Sequence, residues 1–114
     1  GYEDYLYGIE DFSHIIVIFW MDRVRGEVPR RVHPRGREDL PEVGLFSSRA
    51  PQRPNPIGMT VVRLIGREGR FIKVKGLDAY NGTPIIDIKP YIPSDIKYAS
   101  FPDWITFLYK STEF

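Results

Sequence analysis

The chain has 114 residues, ten of them glycine and ten proline, and a formal net charge of +1. This length excludes a doubly wound nucleotide-binding sheet with a second domain, so we expect one domain spanning residues 1–114. The chain has no cysteine and only two histidines, which excludes a disulfide framework and predicts no metal site. The longest apolar run, residues 15–21, falls short of the roughly 20 residues of a membrane span, and no signal peptide is evident. These features predict a soluble, cytoplasmic protein.

The first half of the chain predicts one buried strand followed by loops. Residues 5–12 are expected to form a short helical turn. Residues 14–21 are β-branched, aromatic and apolar on both faces, which predicts the central buried strand of the fold. Six prolines follow within residues 22–58, so regular structure there is limited to brief segments at 31–33 and 45–47.

The second half predicts a hairpin, a further strand and a terminal helix. Residues 60–65 and 71–76 are typical of strands, and a glycine-containing loop suited to a hairpin separates them. Residues 78–84 predict a turn, because their Asn-Gly pair tolerates positive φ, and residues 85–88 resume a strand. Residues 102–109 are expected to form a helix with proline in its first turn. The elements together predict a mostly β fold with proline-rich connecting loops.

The nearly neutral total conceals a segregation of charge along the chain. Residues 23–37 and 49–75 carry 13 of the 16 basic side chains, whereas residues 1–22 carry five acidic and no basic ones. Eleven of the basic residues are arginine, all between Arg23 and Arg70, and arginine forms bidentate contacts with phosphate. A phosphate-rich partner is one interpretation, and solvated strand faces and loops are the other.

A proline-stiffened loop follows the first basic segment. Three prolines lie within residues 51–56, so Arg49 and Arg53 are held on a rigid backbone. Rigid presentation of a guanidinium reduces the entropy lost when it binds a carboxylate or a phosphate. The alternative is a stiff connection between two strands whose arginines are merely solvated.

Three motifs carry a resemblance to a known family. They are Ser48-Arg-Ala-Pro-Gln-Arg-Pro-Asn-Pro-Ile-Gly58, Gly76-Leu-Asp-Ala-Tyr-Asn-Gly-Thr-Pro84 and Asp87-Ile-Lys-Pro-Tyr91. In these motifs and their order the chain resembles the tRNA N6-methyltransferases that methylate threonylcarbamoyl-adenosine at position 37 of tRNA. The resemblance covers residues 5–93 and implies a small single β-barrel that binds S-adenosylmethionine without a Rossmann sheet. It also implies tRNA as partner and a homodimer with the cofactor near the subunit interface.

The resemblance further implies which residues contact the cofactor. They are Asp22 and Arg23 after the predicted central strand, Arg49 and Met59 at the two ends of the proline loop, and Asp78, Ala79, Tyr80 and Asn81 in the following turn. Arginine suits the carboxylate of the cofactor, methionine suits packing on its ring, and aspartate suits its ribose or ammonium group. Backbone groups of the turn suit the edge of the adenine.

Two features depart from the family's pattern. The family typically begins with a further strand and a Pro-Arg-Gln-like segment, and the domain is expected to lack that N-terminal strand and loop. The turn usually carries a second aspartate where this chain has Asn81, a change that keeps the turn geometry and removes a charge.

The leading interpretation is an S-adenosylmethionine-dependent tRNA methyltransferase whose arginine-rich segments 23–37 and 49–70 contact tRNA phosphates. A hydrogen-bond acceptor or base near the N6 amine of the substrate would assist the reaction. Five side chains are chemically eligible, and the sequence does not choose among them: His33, Asp78, Tyr80, Asp87 and Tyr91. The alternatives are a catalytically silent RNA- or ligand-binding barrel and a structural dimerisation module.

Overall fold

The structure, a computed structural model, describes residues 1–110 and is mostly β, as predicted. Its strands are β1 (His14–Trp20), β2 (Arg31–Val32), β3 (Val43–Gly44), β4 (Ile57–Glu68), β5 (Phe71–Lys75) and β6 (Ile85–Pro90). The α-helix of this part of the chain is α1 (Asp103–Leu108). Short 3₁₀ turns occupy Asp4–Leu6, Ile9–Asp11, Pro34–Gly36, Leu45–Ser47 and Pro93–Asp95.

The main sheet is open, so the predicted barrel is wrong for the residues described. Its order is β5-β4-β1-β6, and every neighbouring pair is antiparallel. The outer strands β5 and β6 do not pair with each other within residues 1–110, and four strands are too few to close around a packed interior. The strands β2 and β3 form a separate antiparallel ribbon.

The core lies on one face of the main sheet. Its buried side chains come from β1 and β4, whose residues alternate between the two faces. They are Ile15, Val17, Phe19, Val62 and Leu64. As predicted, β1 is an inner strand that supplies buried core residues, but its other face is only partly covered, and Trp20 at its end is 38% exposed.

The predicted hairpin and both predicted helical segments are present, with shifted boundaries. The strand β4 extends to Glu68 through a register irregularity between Leu64 and Gly66, so the turn shrinks to residues 69–70. Gly8, with φ of 87°, divides the predicted N-terminal turn into two short 3₁₀ turns. The helix α1 begins one residue later than predicted, and Pro102 is its extended N-cap rather than a residue of its first turn.

An ion pair fastens the N-terminal turns to the sheet. Arg67 Nη2 on β4 lies 3.1 Å from Glu10 Oε2. Arg67 is the more buried partner, with 19% of its side chain exposed, and its Nε is buried with no hydrogen-bond partner among residues 1–110. The hydrogen bond from Arg67 holds the pKa of the Glu10 carboxyl below its usual value. The ion pair therefore links the N-terminal turns to β4, and Ile9 of the same segment packs against the core.

Candidate functional site

The site is built where β1 ends. Trp20 N donates a hydrogen bond of 2.9 Å to Pro84 O, and the next amide, Met21 N, donates one of 2.7 Å to Pro56 O. These two bonds attach the 78–84 turn and the proline loop to the same point of the sheet. Residues that are far apart in the chain are thereby brought around the first residues after β1.

A cleft of about 710 Å³, called here the first cleft, opens between these three segments. Its walls come from the end of β1, the proline loop and the turn. The lining residues are Phe19, Met21, Asp22, Arg23, Val24, Arg25, Arg49, Pro51, Gln52, Asp78, Ala79, Tyr80 and Thr83. Its volume is that of a typical small-molecule site.

The proline loop is braced by one of its own arginines. Arg53 Nη1 donates hydrogen bonds to Ser48 O at 2.9 Å and to Ala50 O at 3.1 Å. Its guanidinium also lies 5.5 Å from the centroid of the Phe46 ring. Of the two loop arginines, Arg49 lines the first cleft, whereas the Arg53 guanidinium turns back onto the loop. No hydrogen bond or ion pair engages Arg49 within residues 1–110.

The opposite wall of the first cleft is a turn held by short polar contacts. Thr83 bonds the Tyr80 carbonyl twice, through its amide at 3.1 Å and through Oγ1 at 2.6 Å. Arg23 Nη2 donates to Asn81 O at 3.2 Å, and its guanidinium lies 5.3 Å from the centroid of the Tyr80 ring. Arg23 thus positions the turn against the segment that follows β1.

The first cleft combines both signs of charge with an aromatic wall. Arg49 supplies a cation, and the exposed carboxylates of Asp22 and Asp78 supply anions. Phe19 supplies an apolar surface, and its ring lies directly over Gly58 of β4, where a Cβ atom would be 2.5 Å from the ring Cζ. Such a cleft fits a small molecule that carries a carboxylate, an ammonium group and an aromatic ring.

Six of the eight cofactor residues implied by the resemblance line this cleft, and two do not. The six are Asp22, Arg23, Arg49, Asp78, Ala79 and Tyr80. Met59 projects from the opposite face of β4 to the one on which Gly58 packs against Phe19, because neighbouring strand residues alternate. Asn81 contributes its backbone carbonyl to the Arg23 contact rather than a side chain to the lining.

Sequence reasoning missed several lining residues. Phe19 and Met21 fall in the predicted central strand and Arg25 in the first basic segment; all three line the first cleft, and Phe19 belongs to the core as well. Gln52 could have been found from the proline loop, where it lies three residues after Arg49.

The five eligible proton acceptors are dispersed. Asp78 and Tyr80 line the first cleft, and His33 lines a second cleft beside it. Asp87 lies in a different cavity and pairs with Lys89 Nζ at 2.9 Å, which holds the pKa of the Asp87 carboxyl below its usual value. Tyr91 lines none of these cavities, and its ring centroid lies 6.2 Å from that of His14.

The chain is similar to known proteins over the part that contains the first cleft. The sequence model of the tRNA-methyltransferase O N-terminal domain matches residues 1–95. The chain belongs to that family. The match includes every residue of the first cleft and ends before α1.

Individual relatives are similar over the same part. A protein of Archaeoglobus fulgidus named S-adenosyl-L-methionine-binding protein is 47% identical over 92 residues, which are 81% of this chain and 64% of that protein. A human tRNA (adenine(37)-N6)-methyltransferase is 41% identical over 92 residues, which are 79% of this chain and 20% of the human protein. A crystal structure of TrmO matches with a TM-score of 0.68 and 34% identity, covering 86% of this chain and 42% of that one. The chain therefore spans less than two thirds of each of these relatives.

Two further structural findings concern residues 1–110 alone. No helix there is both long enough and apolar enough to cross a bilayer. No group of three or more histidine, aspartate or glutamate side chains there is arranged to hold a metal ion.

Proposed function

We propose that this chain is the cofactor-binding domain of an S-adenosylmethionine-dependent tRNA methyltransferase. The proposed reaction is methylation of N6 of the adenosine at position 37, in its threonylcarbamoyl form. The observation that carries the proposal is the convergence of Asp22, Arg49 and Asp78 on one cleft at the end of β1. Membership of the tRNA-methyltransferase O family and the names of the relatives support it.

The donor set of the first cleft fits S-adenosylmethionine. Arg49 is a cation without a polar partner in residues 1–110, and it suits the carboxylate of the cofactor. Asp78 and Asp22 suit the ammonium group and the ribose hydroxyls. Tyr80 and Phe19 offer aromatic surface to the adenine, and the backbone of the 79–81 turn offers polar groups to its edge.

When bound, the cofactor supplies a methyl group on a sulfonium, which a nucleophile displaces directly. The protein therefore needs to align donor and acceptor and to exclude water, and it needs no covalent catalysis. The braced proline loop suits this task, because Arg53 fixes the backbone that presents Arg49. Asp78 and Tyr80 are the eligible hydrogen-bond acceptors in the first cleft.

The arginine-rich segments 23–37 and 49–70 are the proposed contacts to tRNA phosphates. One of these arginines, Arg25, lines the first cleft. Arginine at the rim of a site can neutralise the backbone of a nucleotide whose base enters it. Binding of this kind weakens steeply as the salt concentration rises.

A homodimer is also proposed, with the uncovered face of the main sheet as its interface. The large apolar side chains Trp20, Ile57, Met59, Val61 and Ile65 are between 38% and 51% exposed. Trp20 pairs with Ile57 across β1 and β4, so the apolar surface is continuous there. Sedimentation equilibrium of the wild type and of Val61→Glu tests it, and a monomeric wild type would contradict it.

Calorimetric titration with S-adenosylmethionine tests the assignment of the first cleft. Loss of one charge-assisted contact costs about 1.5–3 kcal/mol, so Arg49→Ala and Asp78→Ala should each weaken binding by about 10- to 100-fold. Arg63→Ala is the matched control, because Arg63 is an exposed arginine on β4 that lines no part of the first cleft. Equal affinity in all four proteins would remove Arg49 and Asp78 from the site.

A methylation assay on bulk tRNA tests the reaction. Labelled methyl groups should appear in tRNA, and nucleoside mass analysis should identify the N6-methylated form of threonylcarbamoyl-adenosine. Salt-dependent RNA binding without methyl incorporation would favour the catalytically silent binding domain instead.

A further inference from the structure

A second cleft of about 730 Å³ also adjoins the proline loop. Arg49, Pro51, Gln52 and Asp78 line both clefts, so the loop and the start of the turn form a common wall. A methyl acceptor must approach its donor to about 3–3.5 Å before the reaction can occur. A cleft that shares a wall with the first one offers the acceptor that approach.

The second cleft has a residue in a strained backbone conformation. Arg35 has φ of 55° and ψ of 26°, and it is the one non-glycine residue with positive φ within residues 1–110. A non-glycine residue in this region is disfavoured unless the surrounding structure holds it there, and such residues concentrate at ligand sites. The neighbouring His33 is held in place, since Nδ1 hydrogen-bonds Leu40 O at 3.0 Å and Nε2 lies 3.7 Å from Glu42 Oε2.

The Arg35 guanidinium is stacked on a ring from the far end of the chain. It lies 4.8 Å from the centroid of the Tyr109 ring, and Tyr109 also lines the second cleft. A second such contact on the same segment joins Arg37 to Phe107 at 4.7 Å, but neither of these residues lines the cleft. Both rings lie beyond the part of the chain that the family's sequence model matches.

We propose that the second cleft binds the acceptor nucleotide and that Arg35 and Tyr109 form the platform on which its base stacks. The proposal rests on the proposed function of the first cleft. Bases taken out of an RNA stack are recognised by aromatic rings and guanidinium planes, and Arg35 and Tyr109 supply one of each. Arg35 and Tyr109 are already in contact before RNA binds, so less side-chain conformational entropy is lost on binding.

The test uses the whole chain and an anticodon stem–loop RNA that carries fluorescent 2-aminopurine at position 37. Tyr109→Ala removes the ring, and stem–loop affinity should fall by about tenfold, since stacking on an aromatic side chain contributes strongly to the binding of each base. Tyr109→Phe keeps the ring and should bind as the wild type does. Fluorescence of the bound 2-aminopurine should be quenched by the wild type and by Tyr109→Phe, and should rise in Tyr109→Ala.

Phe107→Ala is the matched control, because it removes the other ring that stacks on an arginine and leaves the second cleft lined as before. Its stem–loop affinity and its 2-aminopurine signal should match those of the wild type. Equal losses of stem–loop affinity in Phe107→Ala and Tyr109→Ala would overturn the proposal. They would show that the two rings affect RNA binding only by holding the C-terminal segment against the rest of the domain.

Calorimetry with S-adenosylmethionine separates the two proposals. Tyr109→Ala should bind the cofactor within twofold of the wild type, and a parallel loss would assign the second cleft to the cofactor and overturn the acceptor site. A wild type that binds no cofactor would refute the proposed function itself. A wild type that binds cofactor but no stem–loop, or a Tyr109→Ala variant with unchanged stem–loop affinity and fluorescence, would refute the acceptor site alone.

Discussion

Gly58→Ala is expected to damage both the core and the first cleft. A Cβ atom at this position would lie 2.5 Å from Cζ of Phe19, whereas carbon atoms in contact are about 3.5 Å apart or more. The ring would therefore have to retreat by about 1 Å. Phe19 is 5% exposed and lines the first cleft, so the ring can retreat only into packed neighbours or into the cleft.

Overpacking of this kind costs about 1–3 kcal/mol. For 114 residues the entropy of unfolding predicts a fall in Tm of about 4 °C per kcal/mol, hence about 4–12 °C for this variant. Differential scanning calorimetry measures the Tm, and titration with S-adenosylmethionine should show weaker binding as the ring enters the cleft. In a Phe19→Leu background the same change should cost less, because the overlapping ring atoms are gone.

Gly66→Ala is the matched control. Gly66 lies on the same strand, its φ is not positive, and a Cβ atom there would meet nothing within 4 Å. Its Tm should be unchanged or slightly raised, because alanine reduces the entropy of the unfolded chain. The steric reasoning would be refuted if the Tm of Gly58→Ala fell by less than about 2 °C, or if Gly66→Ala lowered the Tm by the same amount as Gly58→Ala.

Three further predictions follow from single contacts. Glu10 has a lowered pKa through its bond to Arg67, so its contribution to stability is present above its usual pKa of 4.5 and is lost as the pH falls through the lowered value. Between pH 7 and pH 3 the Tm of Glu10→Gln should therefore fall by less than the Tm of the wild type. The Tm of the control variant Glu68→Gln should fall by as much as that of the wild type. Arg53→Ala should weaken cofactor binding several-fold although Arg53 lines no part of the first cleft, since two loop carbonyls lose their donor, and calorimetry would show it. Asn81→Asp should change cofactor affinity by less than about twofold in the same titration, because this residue contributes only its backbone carbonyl; a tenfold gain would show that the side chain reaches the ligand.

Local pattern was sufficient for most of the secondary structure. The apolar run at residues 14–21 and the strand-like segment at residues 71–76 appear in the structure as β1 and β5. Boundaries shifted where a strand continued through a glycine, as β4 does at Gly66. Closure of the sheet was not predictable in this way, because pairing between β5 and β6 depends on strand number and curvature rather than on either strand's own alternation.

The first cleft was predictable in part. Motif resemblance brought together Arg49, Asp78 and Asp22, and these residues share one cleft. Met59 lies outside this cleft because a one-residue step along a strand reverses the face of a side chain, and only the packing of Phe19 on Gly58 fixes which face is inward.

By itself the sequence determined the family, the strand-rich character of the chain and the rigidity of the proline loop, because motifs, β-branched runs and proline rings act through the residues next to them. The direction in which Arg53 turns is visible only in the structure, although its contacts with Ser48 and Ala50 span at most five residues. Only the tertiary structure brought the Tyr109 ring to Arg35, 74 residues earlier in the chain. Contacts at such separations depend on how the whole chain packs, and no local spacing encodes them.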